Sequence, residues 1–245
     1  MKPTQSKNFQ FFLVISIMVW AWAAGVRAEE TDNGDFVQER TYVGGFGTYT
    51  AIDKAGDFTG TEAFTFVGSP SDTNLIPSLS QNVGFAVMLG RREGPWAVEV
   101  SYWRSDHTAS VTFGGTNFQD TATYHSINID FKRYLFTQFP TQPFFSVGLS
   151  LPWIVVHNGS SIGSPPTEIG DDTLSGIGFN LGAGLEIYLG QNFSLIGSAT
   201  ERWAGYGDIL GVNRTDETPQ TPNGNDETLQ ASGLNFAVGA TFGFE

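Results

Sequence analysis

The sequence predicts an all-β fold in which eight antiparallel strands run up and down around a closed barrel. Three observations predict it. Eight segments alternate apolar residues with polar or small ones, the connections between them are alternately short and long, and glycine and phenylalanine are abundant, at 30 and 21 of 245 residues. Alternation with a period of two places the two kinds of residue on opposite faces of a strand.

Residues 1–28 precede the barrel and have the three parts of a secretory signal peptide. Lys2 and Lys7 come first, the apolar run "FFLVISIMVWAWAA" follows, and "VRA" leads to a predicted cleavage site between Ala28 and Glu29. The apolar run is shorter than the roughly 18 to 20 residues that a membrane-spanning helix needs. We therefore expect an exported protein.

The predicted mature chain, 29–245, is one barrel domain, in which 29–39 form a short periplasmic lead-in. It has no cysteine, so no disulfide stabilises it. Removing the signal peptide takes away three cations and no acid, so the formal charge falls from -13 to -16, which excludes nucleic acid as a partner. Charged residues make up 15% of the chain, below the roughly 25% of soluble domains.

The alternating segments each have a length that suits a tilted membrane-crossing strand of about 9 to 11 residues. In "WAVEVSYW", for example, Trp96 begins the apolar face and Glu99 lies on the other. The first segment, "TYVGGFGTYT", is too rich in glycine for its faces to be assigned. The predicted segments are 40–52, 81–91, 96–106, 124–135, 143–153, 175–189, 193–204 and 233–244.

The connections alternate in length along the chain. Short turns, "REGP", "TQFPTQP" and "GQN", follow the second, fourth and sixth segments and carry the Gly, Pro and Asn that tight turns require. The long polar loops, at about 53–80, 107–123, 154–174 and 205–232, follow the other segments. The pattern predicts an up-and-down meander with all short turns at one rim, where both chain ends also lie.

The polar face decides between a soluble barrel with an apolar interior and a membrane barrel with an apolar exterior. A solvent-exposed face would be roughly a quarter to a third charged. This face consists of Gly, Ser, Ala, Asn and Thr with isolated charges of both signs, which suits a narrow interior where charges pair. The predicted interior charge network consists of Glu99, Asp130, Lys132, Glu186 and Arg202.

The apolar face carries no charge across the middle of any segment. Its aromatic residues cluster near the segment ends, as in the two aromatic girdles of membrane barrels. Closure of the barrel leaves no unpaired strand edge in lipid. The apolar face of the last segment, "LNFAVGATFGFE", therefore faces lipid. The predicted girdle residues are Trp96, Tyr102, Phe145, Trp153 and Phe193.

The signal peptide, the opening "YVGGFGTYT", the eight alternating segments and the aromatic last strand resemble the small outer-membrane β-barrels, a family that includes the outer membrane protein A transmembrane domain, opacity proteins and porin-family barrels. The resemblance implies a Gram-negative outer membrane, periplasmic turns, extracellular loops, periplasmic chaperones, and an assembly machinery that reads the terminal aromatics, here Phe242 and Phe244. Glu245 after them departs from the pattern. Pro152 is a second misfit, because proline removes a ladder hydrogen bond; we place it near the outer rim, where a bulge could absorb it.

Three functions fit such a barrel. The first is a non-enzymatic role in envelope integrity or surface contact, as a monomeric or weakly oligomeric protein without cofactor. The second is a narrow channel for small solutes, although the interior charges favour a filled lumen. The third, a lipid-modifying enzyme, is disfavoured because the adjacent His125 and Ser126 point to opposite faces of a strand. His107 and His157 also lie near predicted outer rims.

No ligand spacing for a metal appears, since cysteine is absent and the histidines are scattered. The long loops carry acidic residues that could bind divalent cations bridging to lipopolysaccharide, although a solvated loop surface explains such charges as well. These acidic residues are Asp171, Asp172, Asp216, Glu217, Asp226 and Glu227.

Overall fold

The computed structural model describes residues 39–52, 58, 63–66, 69–75, 78–113, 116–157, 172–190, 192–206, 219–220 and 229–244. The predicted signal peptide and its cleavage site lie outside the described residues. Within them, no helix has the length and hydropathy needed to cross a membrane. Eight long strands dominate: β1 Arg40–Thr50, β2 Asn82–Glu93, β3 Trp96–Phe113, β4 Thr116–Tyr134, β5 Thr141–His157, β6 Asp172–Tyr188, β7 Phe193–Tyr206 and β8 Leu229–Phe244.

The eight strands close into a barrel. Each pairs antiparallel with the next along the chain. The first strand then pairs with the last, from Thr41↔Phe244 to Thr50↔Asn235. All eight strands therefore have partners on both sides, and the predicted up-and-down barrel is confirmed.

The apolar face of the barrel points outward. On β3, Val98 and Val100 are 43% and 47% exposed, whereas Ala97 and Glu99 are each 3% exposed. The last strand repeats the pattern, since Val238 is 71% exposed. A closed barrel with this exterior is a transmembrane β-barrel, because only lipid accommodates a continuous apolar band around a protein.

The glycine-rich first strand has the same two faces. Val43 and Tyr49 point outward, whereas Tyr42 and Phe46 are buried in the barrel. Gly45 and Gly47 fall on the outward face and contribute no side chain to it. Their small size hid the alternation in the sequence.

The short connections lie where the sequence predicts them. Gly94 and Pro95 join β2 to β3, and Gly94 has a φ of 57°, which glycine adopts without strain. Residues 135–140 join β4 to β5, and 189–192 join β6 to β7. The short-turn rim of the barrel is therefore the rim that carries the start of β1 and the end of β8.

The predicted loop at 107–123 is wrong, because most of it belongs to β3 and β4. The two strands stay paired from Trp96↔Arg133 to Phe113↔Thr116. Outward residues beyond the apolar band, such as Thr108 and Thr112, are polar and exposed. These residues are as polar as loop residues, because the outward face of a strand that extends beyond the membrane contacts water.

The other long connections also contain strands. The predicted loop at 53–80 includes Ala63–Phe66, Ser69–Leu75 and Ser78–Leu79. Ser78–Leu79 pairs with β3, and the first two pair with each other. β5 runs on to His157 and β7 to Tyr206, so the predicted loops at 154–174 and 205–232 are also too long.

Pro152 lies in β5 with its side chain buried. The register between β5 and β6 is the same on both sides of it, because Ser150 pairs with Gly178 and Trp153 with Ser175. No residue is inserted, so no bulge absorbs the proline at this point. Proline has no N–H, and the ladder loses hydrogen bonds at this point without a change of register.

Candidate functional site

Near the short-turn rim, two arginines bind one buried carboxylate. Glu186 on β6 is 1% exposed, and its Oε1 lies 2.7 Å from Arg40 Nη2 of β1. Its Oε2 lies 3.9 Å from Arg92 Nη1 of β2, and the Tyr188 hydroxyl contacts both arginines. Since β2 and β6 are opposite one another in a ring of eight strands, this group crosses the lumen.

A second ion pair joins neighbouring strands. Lys132 Nζ on β4 lies 2.6 Å from Glu99 Oε2 on β3, and the two side chains are 8% and 4% exposed. The Tyr42 hydroxyl donates to Glu99 at 2.6 Å, and Lys132 Nζ lies 4.3 Å from the centroid of the Phe144 ring. The pair is therefore desolvated, hydrogen-bonded and enclosed by rings.

Arg202, on β7, has neutral partners. Its Nε donates to Asn180 Oδ1 at 3.0 Å and its Nη2 to Asn128 Oδ1 at 3.2 Å, while Nη1 donates to the Tyr124 hydroxyl. Asn180 also donates to Asp130 Oδ1 at 3.4 Å. The amide of Asn180 thus stands between this cation and the nearby carboxylate.

All five residues of the predicted interior network lie inside the barrel, but in three groups. Arg40 and Arg92, the two partners of Glu186, are absent from the predicted network. Arg92 was assigned to the turn "REGP", although the inward phase of Ala86 and Met88 extends to it, and it is 1% exposed. Continuing the alternation into the turn would have found it.

Aromatic side chains, as well as the predicted small residues, occupy the remaining interior. Tyr42, Tyr134 and Phe144 belong to one buried cluster on the short-turn side. Phe58, from the connection between β1 and β2, is 1% exposed and packs edge-on against Tyr206 at 5.4 Å in a second cluster.

Aromatic groups mark both edges of the apolar band, as predicted for a girdle. On the long-loop side, His125 stacks on Trp153 with ring centroids 5.0 Å apart, and the Tyr102 hydroxyl lies 2.7 Å from His125 Nδ1. On the short-turn side, the Arg133 guanidinium lies 4.4 Å from the centroid of the Trp96 ring. On β3, these groups lie at the two ends of the outward apolar run, which begins at Trp96 and ends at Tyr102.

Solved outer-membrane proteins share this architecture. OprG from Pseudomonas aeruginosa is 12% identical over 87% of this chain and 100% of its own, with a TM-score of 0.54. The fold is that of the small eight-stranded outer-membrane β-barrels. Identity this low extends the likeness to the fold alone.

Two further solved structures match with TM-scores of 0.48. Neisserial surface protein A is 16% identical and covers 83% of this chain and 97% of its own. A major outer membrane protein from Thermus thermophilus is 14% identical and covers 84% and 100%. No protein-family model and no curated protein matches the sequence.

The histidines of the barrel lie in separate places. His125 and Ser126 are on opposite faces of β4, and Ser126 is fully buried. The Thr123 hydroxyl donates to Asp106 Oδ1 at 3.0 Å and lies 3.0 Å from His157 Nε2. In a hydrolytic triad the carboxylate orients the imidazole, whereas here both groups contact the hydroxyl.

The part of the chain that the structure describes contains no group of three or more His, Cys, Asp or Glu that could hold a metal ion. Asp172 is the first residue of β6. The other five acidic residues considered as cation ligands, Asp171, Asp216, Glu217, Asp226 and Glu227, lie outside the described residues.

Proposed function

We propose that this protein is an outer-membrane β-barrel with a structural and surface-contact role, without catalytic activity and with a lumen closed to ions. The observation that carries the proposal is the bridge from Arg92 through Glu186 to Arg40, which crosses the lumen near one rim. Eight strands leave an interior just wide enough for side chains. Paired charges and aromatic rings occupy that interior here.

A narrow channel is the alternative function. It would require the Glu186 group to rearrange, because both arginines and the carboxylate are nearly fully buried. Breaking a buried ion pair without replacement partners costs about 3 to 5 kcal/mol. That cost favours a closed resting state, in which the barrel acts through its surface rather than its lumen.

The proposal places the apolar band in the outer membrane, in contact with lipid and lipopolysaccharide. The protein would be exported after cleavage between Ala28 and Glu29, escorted by periplasmic chaperones, and inserted as a monomer. We assign the assembly signal to Phe242 and Phe244, which point outward from the last strand and are 54% and 43% exposed.

Two measurements test the proposal. In gels of isolated outer membranes, the unboiled protein should migrate faster than the boiled protein, because a closed barrel resists detergent. Purified protein in planar bilayers should give no discrete conductance steps. Recovery from the soluble periplasm would reject the location, and regular steps from the wild-type protein would reject the closed lumen in favour of the channel.

A further inference from the structure

Arg104 and His125 lie directly opposite one another on the outward face of the barrel, at the long-loop edge of the apolar band. On β3 the outward apolar run ends at Tyr102, and Arg104 is the next outward residue. On β4 the outward apolar residues stop at Ile127, and His125 is the next. Trp153 of β5 continues the row on the other side of His125. The row therefore marks the depth at which the apolar band meets the polar surface.

The Arg104 guanidinium has no hydrogen-bond acceptor in the part of the chain that the structure describes. Its Nη2 lies 3.7 Å from Asp106 Oδ1, an ion-pair contact that is too long for a hydrogen bond. The two side chains are 46% and 69% exposed, so solvent screens the pair. The N–H groups of this cation therefore remain available to an acceptor outside the barrel.

His125 presents a second outward donor, and two aromatic neighbours fix its direction. Its ring stacks on Trp153 with an angle of 11° between the planes, and the Tyr102 hydroxyl lies 2.7 Å from Nδ1. Among the described residues this hydroxyl has no other acceptor, so it donates to Nδ1 and the proton of the neutral ring is on Nε2. None of those residues accepts a hydrogen bond from Nε2 either.

The two donors are close enough to contact one anion. Residues directly opposite one another in an antiparallel pair have Cβ atoms about 4.5 to 5.5 Å apart. A phosphate group offers three acceptor oxygens, which suits a guanidinium and an N–H side by side. An anion at the edge of the apolar band, on the long-loop side, belongs to a lipid headgroup of the outer leaflet.

We propose that Arg104 and His125 bind a phosphate of lipid A, the membrane-embedded part of lipopolysaccharide. Arg104 contributes the charge, His125 Nε2 contributes a directed hydrogen bond, and Tyr102 and Trp153 position the imidazole. This inference rests on the proposed outer-membrane location. It goes beyond that proposal because it names the lipid group that is bound and the side chains that bind it.

The chain has only three histidines, which makes a specific test possible. The refolded barrel, labelled with ¹⁵N-histidine, is placed in phosphatidylcholine nanodiscs that contain an increasing fraction of lipid A. The ring nitrogens are followed by NMR, and His125→Gln assigns the His125 signals. We expect the Nε2 signal of His125 to shift saturably with lipid A, whereas buried His107 should not respond. Lipid A without its phosphates, and inorganic phosphate in solution, should leave the His125 signal in place.

Three variants assign the charge contribution. Arg104→Gln should weaken lipid A binding about tenfold, because a hydrogen bond to a charged group is lost. Asp106→Asn removes the neighbouring carboxylate and should strengthen binding about threefold, a gain that misfolding does not produce. Arg91→Gln is the matched control, since Arg91 is also outward, exposed and paired with an acid two residues later, but lies near the short-turn rim. It should bind lipid A as the wild type does.

Tyr102→Phe tests the positioning of the imidazole. The aromatic ring remains, but the hydroxyl that donates to Nδ1 is lost. The ¹⁵N shifts of His125 should then become those of a mixture of tautomers, and lipid A binding should weaken about threefold. A Tyr102 that only packs against its neighbours would leave the tautomer unchanged.

Several results would overturn the inference. One is a His125 signal that does not move with lipid A, or that moves equally with dephosphorylated lipid A. Another is unchanged binding by Arg104→Gln. Saturation by inorganic phosphate alone would assign the site to a soluble anion instead of a lipid. Each of these results would leave the gel migration and the conductance of the barrel as proposed, whereas recovery from the soluble periplasm would reject the proposed function itself.

Discussion

Lys132 Nζ lies 2.6 Å from Glu99 Oε2 inside the barrel, and neither side chain is more than 8% exposed. Their strands are neighbours, yet the two residues are not directly opposite, because Glu99 is paired with Asp130. Lys132 therefore contacts Glu99 diagonally across the two strands, although Asp130 is the residue directly opposite Glu99. The Tyr42 hydroxyl also contacts the Glu99 carboxylate. Such a contact depends on the register of both strands.

Replacing one member of this pair should destabilise the barrel strongly. Lys132→Met leaves a buried carboxylate without its cation, and we expect a loss of about 3 to 5 kcal/mol in the free energy of unfolding. The double variant Glu99→Gln with Lys132→Met should recover most of the loss, because no uncompensated charge remains. Urea unfolding of the refolded proteins in lipid vesicles measures the unfolding free energies of the single and the double variant. Additive losses in the double variant would show that the two charges are not coupled.

Two adjacent arginines on β2 provide a matched test of the closed lumen. Arg92 is 1% exposed and contacts Glu186, whereas Arg91 points outward, is 60% exposed and pairs with Glu93 at 3.0 Å. Arg92→Ala should introduce conductance steps that the wild-type protein lacks and should lower the unfolding free energy by about 3 kcal/mol or more. Arg91→Ala should change the unfolding free energy by less than about 1 kcal/mol and should produce no conductance steps in planar bilayers.

If the Arg92→Ala variant produces no conductance steps, the aromatic rings, rather than the ion pairs, close the lumen. The Arg92 guanidinium lies 4.0 Å from the centroid of the Tyr134 ring, which belongs to the interior cluster. Tyr134→Ala, in the same background, would then be the variant that opens a path.

The architecture was predictable because its signal is repeated. Each spanning segment has one face of apolar residues, and a single error in one strand, such as the unassigned β1, does not disturb the others. The extramembrane parts of β3 and β4 were not predictable in this way. Outside the lipid both faces of a strand can be polar, so residues 107–123 gave no alternation of hydropathy.

The sequence predicts which residues point into the barrel, but it does not predict which of them contact one another. Inward charges such as Glu186 follow from the phase of their strand, whereas its partners Arg40 and Arg92 come from strands three and four positions away around the ring. Strand phase says nothing about such distances.

The cost of placing a charged residue on the lipid-facing surface should depend on its depth in the membrane. Ile129 on β4 is 45% exposed and lies between Val100 and Leu149 of the flanking strands, well within the apolar band. Ile129→Arg should cost about 2 to 4 kcal/mol, as arginine does near a bilayer midplane. Thr108→Arg, outward on β3 beyond the band, should cost less than about 1 kcal/mol. Vesicle-based unfolding compares the two, and equal costs would contradict the assigned band.

The β3–β4 extension should loosen in mild acid because of His107, an inward residue five positions beyond Tyr102, the last residue of the outward apolar run of β3. Its side chain is 3% exposed, its Nδ1 lies 2.5 Å from the Ser80 carbonyl oxygen, and its Nε2 lies 2.7 Å from Ser105 Oγ. Burial lowers the pKa of His107, an effect larger than the opposing influences of the Ser80 carbonyl and of Asp106.

Proton linkage determines whether stability increases or decreases as the pH falls. A histidine whose pKa is lower in the folded state than its usual value of about 6.5 binds more protons when unfolded, so stability is complete above that pH and decreases as the pH falls below it. Hydrogen exchange of the amides between 107 and 122 should therefore accelerate from pH 7.5 to pH 5, after correction for the intrinsic rate. His107→Gln should abolish that acceleration and His157→Gln should retain it. Equal acceleration in the His107 variant would assign the loosening to another group.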